Sequence, residues 1–113
     1  MMTVQEVRDY CLSLPETIES EHWGKPSFRI RNKIIAVIQP DGYTVTIKST
    51  AEDKAYYAEI EPSVYRIDES YATVHYLNVH LPLAERAEVQ GLIRKAWCAF
   101  APKKLVKALE ASR

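Results

Sequence analysis

Only three glycines, Gly24, Gly42 and Gly91, occur in the 113 residues, too few and too scattered for a phosphate-cradling loop. That excludes the P-loop and the dinucleotide fingerprint, whose tight turns need glycines at close spacing. Cysteine is scarcer still. Cys11 and Cys98 stand alone, outside any C-x-x-C spacing, so neither a disulfide framework nor a zinc motif is expected. Both lie at apolar helical positions, where thiols are small packed hydrophobes of a reducing compartment rather than nucleophiles. Long apolar runs are also missing. Ile34–Ile38, for example, has five residues against the roughly 20 that a membrane span needs. The opening MMTVQEVRDYCL carries Glu6 and Asp9 with no cationic stretch leading into an apolar one, so no signal peptide is expected. The expectation is a cytoplasmic protein without a membrane partner.

What is present fits one globular domain over residues 1–113, with 47% hydrophobic and 27% charged residues. Net charge is zero, with 15 basic and 15 acidic side chains, but the signs are segregated. Residues 1–24 hold five acids and one base, and residues 51–71 hold six acids and two bases. Between them, residues 25–33 contain Lys25, Arg29, Arg31 and Lys33 and no acid. Residues 94–113 add Arg94, Lys95, Lys103, Lys104, Lys107 and Arg113 against Glu110 alone. Two basic stretches can therefore attract anions locally although the whole chain is neutral.

Hydrophobic periodicity orders the chain. Thr3 and Glu6 form a capping box, and Val4, Val7, Cys11 and Leu14 recur at helical spacing, predicting a helix over 4–13 that Pro15 ends. Residues 17–23 are weakly strand-like. Ser27–Arg31 alternates, with Phe28 and Ile30 on one side and Arg29 and Arg31 on the other. Asn32-Lys33 is the expected hairpin turn, placing Lys33 at its tip. Ile34–Ile38 is expected as a buried strand, and Pro40-Asp41-Gly42 as a turn into Tyr43–Lys48. Thr50 and Asp53 cap a predicted helix over 51–60. A short strand near Val64–Arg66 and a loop at Asp68–Ser70 follow. Residues 74–81 alternate, with Val74, Tyr76, Asn78 and His80 opposite His75, Leu77, Val79 and Leu81. A long helix over 84–99 and a last one through Leu105, Leu109 and Ala111 complete the chain. The order α-β(3-4)-α-β(2)-α predicts a two-layer α+β fold, an antiparallel sheet with its helices on one face.

Few residues gather into chemistry. His75 and His80 are an odd number apart on one strand and so face opposite ways, which argues against a shared metal ion. Glu16, Glu19 and Glu21 read as an exposed acidic edge. No cofactor site is legible and no enzymatic role is expected. Tyrosine makes up seven of the eleven aromatics, and Tyr56, Tyr57, Tyr65, Tyr71 and Tyr76 serve either as core or as a binding surface. The basic hairpin is the most interpretable feature, because a cationic flank and tip can reach phosphates.

These residues resemble a known family. Trp23-Gly24-Lys25-Pro26-Ser27-Phe28-Arg29, then Lys33-Ile34-Ile35-Ala36 and Tyr43–Lys48, are similar to the opening block of MmcQ/YjbR-like proteins. Ala96-Trp97-Cys98-Ala99-Phe100-Ala101-Pro102-Lys103-Lys104-Leu105 resembles their C-terminal block. The chain departs from the family's turn and tryptophan before the last strand, where Asp68–Thr73 and Tyr76 stand instead. The resemblance implies a fold similar to secretion-chaperone-like domains. It also implies a small bacterial protein that binds double-stranded DNA through phosphate contacts. The residues expected to make them are Lys25, Arg29, Arg31 and Lys33, with Lys103, Lys104 and Lys107 assisting. The alternative is a module that holds a protein, a peptide or a small ligand on its tyrosine-rich surface.

Overall fold

The computed structural model describes residues 1–67 and 75–111. Helix α1 spans Val4–Ser13, followed by strands β1 (Ile18–His22), β2 (Lys25–Ile30), β3 (Lys33–Ile38) and β4 (Thr44–Lys48). Helix α2 (Ala51–Ile60) leads to β5 (Tyr65–Arg66) and β6 (Tyr76–His80). A single turn of 3-10 helix at Leu81–Leu83 precedes α3 (Arg86–Phe100) and α4 (Lys103–Ala111). The expected loop at Asp68–Ser70 lies outside the described residues.

The local signals act as their chemistry requires. Thr3 Oγ1 accepts from the Glu6 amide at 3.1 Å, and Glu6 Oε1 accepts in return from the Thr3 amide at 2.9 Å. Both exposed amides at the start of α1 are thereby satisfied. Thr50 Oγ1 accepts from the Asp53 amide at 3.0 Å and starts α2 in the same way.

The six strands form one sheet in the order β1-β2-β3-β4-β6-β5, with every neighbouring pair antiparallel. This is the α+β architecture expected from the sequence. One sheet face is apolar: Phe28, Ala36, Ile47 and Leu77 lie in register across four strands and are buried. Against it pack Val7 and Cys11 of α1 and Val89, Ile93 and Trp97 of α3. Leu105, Val106 and Leu109 of α4 are half-buried against the same core, and so is Tyr57 of α2. Trp97 donates its indole N–H to the Pro15 carbonyl at 3.1 Å, tying α3 to the end of α1. The helices therefore lie on one side of the sheet. No helix among the described residues is long and apolar enough to cross a membrane.

The β2–β3 hairpin differs from the expected form by one residue. Its turn is Arg31-Asn32, both at positive φ (50° and 65°), so Arg31 occupies the tip and Lys33 opens β3. Arg31 therefore does not alternate with Arg29 as expected. The cause is a bulge: Phe28 pairs with Ala36 but Arg29 pairs with Ile34, leaving Ile35 unopposed. Both Ile35 and Ala36 are buried as a result, while Ile34 joins Arg29 on the other face. A continuous apolar run conceals such a break, because every residue in it suits either face.

Candidate nucleic-acid interface

Because side chains alternate along a strand, the pairing register fixes what the sheet face opposite the helices carries. Moving across the sheet, that face holds Ile18, Ser20 and His22 of β1, then Lys25, Ser27 and Arg29 of β2. Ile34, Val37 and Gln39 follow on and beside β3, then Thr44, Thr46 and Lys48 of β4. Tyr76, Asn78 and His80 of β6 and Arg66 of β5 complete it. Among the described residues, four permanent cations and two imidazoles thus share one face. Among the described strand residues, no carboxylate projects there. Glu19 and Glu21 stand in register with Phe28 and Pro26, on the helix side, where Glu19 pairs with Arg8 of α1 at 2.9 Å. At the rim, Asp41 accepts from the Tyr43 and Thr44 amides at 2.9 and 2.8 Å and from the Thr44 hydroxyl at 2.6 Å.

The polar side chains of this face are mutually positioned. Lys25 Nζ donates to Gln39 Oε1 at 2.9 Å, and Gln39 Nε2 donates to Thr46 Oγ1 at 2.9 Å. The Thr46 hydroxyl in turn donates to Asn78 Oδ1 at 2.6 Å, so the chain crosses four strands. Arg29 lies along the sheet, donating to Ser27 Oγ, Asn32 Oδ1 and the Glu21 carbonyl at 3.2 to 3.4 Å. A guanidinium has five N–H donors, so donors remain for a phosphate. Lys48 Nζ sits 5.4 Å from the centre of the Tyr76 ring. Beside them, His22, Trp23, Lys25, Ile34, Val37, Gln39 and Tyr76 line a groove of 270 Å³.

The residues expected to contact phosphate separate into three groups. Lys25 and Arg29 are together on the open face. Arg31 and Lys33 are exposed at the hairpin end, and Arg31 Nε donates to Glu16 Oε1 at 2.8 Å. Lys103, Lys104 and Lys107 are exposed on α4, whose apolar side meets the core from the helix layer. Lys103, Lys104 and Lys107 therefore lie on the side of the sheet opposite Lys25 and Arg29.

Nor do the tyrosines form one surface. Tyr65 is buried on the helix side with its hydroxyl donating to Glu88 Oε1 at 2.9 Å, and Tyr57 packs on it with ring centres 4.8 Å apart. Tyr56 is exposed on α2, Tyr76 lines the open-face groove, and Tyr71 lies outside the described residues. His22, Lys48, Arg66 and Trp23 were not singled out from the sequence as candidate contacts. The alternation of Thr44, Thr46 and Lys48 carried the signal for Lys48, but the strand order needed to place it beside Arg29 is nonlocal.

Of the two thiols, Cys11 is buried and Cys98 half-buried. Burial pushes the Cys11 thiol up to about 12, which keeps it protonated at neutral pH.

Comparison with known proteins agrees with this architecture. The YjbR family model matches residues 12–99. Among solved structures, the crystal structure of the Deinococcus radiodurans protein DR2400, with a DUF419 domain, is similar in fold. It superposes with a TM-score of 0.70 at 18% identity, covering 86% of this chain and 77% of that one. No curated protein matches the sequence.

Proposed function

This chain belongs to the YjbR family, and on that premise we propose that it is a cytoplasmic DNA-binding protein without catalytic activity. The open sheet face receives the phosphate backbone. One observation carries this reading: Lys25, Arg29, Lys48 and Arg66 share a face from whose described strands no carboxylate projects. A polyanion meets attraction across the described strands of that face, and the rim carboxylate of Asp41 is turned to its own loop, accepting from the Tyr43 and Thr44 amides and the Thr44 hydroxyl. Lys25 and Arg29 act as phosphate donors whose aim is fixed by Gln39 and Ser27. Fixed donors lose less rotamer freedom on binding than free lysines do. Arg31 contributes little while Glu16 neutralises it. Lys103, Lys104 and Lys107 form a separate basic stretch that a short duplex on the open face does not reach.

The test is fluorescence anisotropy of a labelled 25-base-pair duplex at 50 and 200 mM salt. Four neutralised phosphates give a salt slope of about −3.6, hence about 150-fold weaker binding at the higher salt. Absence of binding at 50 mM salt with tens of micromolar protein removes the proposal.

A further inference from the structure

Phosphate binding does not account for Trp23. The residue is 84% exposed, more than any other large hydrophobic residue among those described. Its backbone also sits at φ 52°, where an L-residue other than Asn, Asp or Gly is strained. Together with Gly24 at φ 80° it forms the two-residue turn between β1 and β2, where Asn-Gly is the unstrained choice. The fold thus carries two costs at one residue and gains no core contact from it. Trp97 provides the contrast, since it is 0% exposed and hydrogen-bonded within the core.

The surroundings of Trp23 indicate what its ring meets. His22 stacks on it, with ring centres 4.8 Å apart and planes 16° from parallel. Both belong to the open-face groove, whose floor is Ile34 and Val37 and whose far side is Tyr76. Lys25 Nζ and Gln39 border it, held by their mutual hydrogen bond. At 270 Å³ the groove is below the roughly 300–1,000 Å³ typical of small-molecule pockets. Its apolar floor, aromatic walls and cationic border suit a flat ring attached to an anion.

We propose that this groove receives an unpaired base of single-stranded DNA, stacked on Trp23 and Tyr76, while the adjoining phosphates lie on Lys25, Arg29 and Lys48. The inference rests on the open-face reading above and specifies the form of nucleic acid. In a duplex the base faces are covered by their neighbours, so an exposed indole adds nothing to phosphate contact. An unpaired base offers its face, and base–aromatic stacking tolerates any sequence.

The test compares single-stranded dT12 with the dT12·dA12 duplex at 50 mM salt, read by anisotropy and by tryptophan fluorescence. Trp23→Asn serves as the variant because asparagine tolerates the left-handed turn and keeps the fold. The expected result is quenching of the exposed tryptophan by dT12. The variant is expected to bind dT12 roughly tenfold more weakly, with duplex binding changed less than twofold. Equal binding of both oligonucleotides, unaffected by Trp23→Asn and without quenching, overturns the base-binding inference but leaves phosphate binding on the open face intact. Binding of neither overturns both.

Discussion

Arg31 at the tip of the β2–β3 hairpin donates to Glu16, which precedes β1, at 2.8 Å, and both residues adopt positive φ. The pair fastens two strained connections to each other and cancels a cation at the most protruding point of the basic hairpin. Exposed ion pairs contribute about 0–1 kcal/mol, so its effect on binding should exceed its effect on stability. Glu16→Gln should free Arg31, steepening the salt slope of duplex binding by about 0.9. Arg31→Ala should change the slope little in the parent protein. Anisotropy at several salt concentrations measures both, and an unchanged slope in Glu16→Gln would show that the tip stays clear of DNA.

Trp23 should illustrate stability surrendered to function. Replacing it by asparagine relieves left-handed strain of about 1 kcal/mol, which in a domain of this size raises Tm by roughly 4 °C. Thermal unfolding followed by circular dichroism measures the change. A fall of several degrees would mean that the indole supports the fold.

The acid pair near α3 makes stability depend on pH. Partial burial and the neighbouring carboxylates of Glu88 and Glu85 together raise Glu61 above its ordinary 4.5. The folded state therefore holds this proton more tightly than the unfolded chain does. The contribution to stability is fully present below about pH 4.5 and is lost as pH rises through the higher folded value. Glu61→Gln should match the parent protein near pH 4 and exceed its Tm at pH 7. Identical Tm curves across that range would contradict the account.

Cys11 and Cys98 should differ in reactivity. With its thiol raised to about 12 and its side chain buried in α1, Cys11 should resist a disulfide reagent at pH 8 in the native protein. Half-buried Cys98 should react first. Thiol titration with and without denaturant distinguishes them, and two equally fast native thiols would contradict the packing described for α1.

Local signals made most of the fold legible. Thr3 with Glu6, and Thr50 with Asp53, mark helix starts through bonds spanning three residues, which any sequence window contains. Alternation likewise assigned Tyr76, Asn78 and His80 to one side of β6. Two things were hidden. The bulge at Ile35 falls inside an apolar run whose residues suit either face, and the tolerance of Asn32 for positive φ put the expected turn at Asn32-Lys33, one residue late. Strand order is the other, since Lys48 meets Tyr76 and Arg66 meets Asn78 through pairings far apart in the chain. The basic hairpin was visible as a charge block, whereas a sheet face on which no described strand residue is a carboxylate is a product of tertiary pairing.

On the proposed reading, DNA lies on the open face and not across the lysines of α4. Anisotropy with the 25-base-pair duplex at 50 mM salt, comparing Arg29→Ala/Lys48→Ala with Lys103→Ala/Lys104→Ala/Lys107→Ala, tests it most directly. The double variant is expected to bind at least tenfold more weakly and the triple less than threefold more weakly, although the triple removes more charge. The opposite order would contradict that reading and assign binding to the helix side.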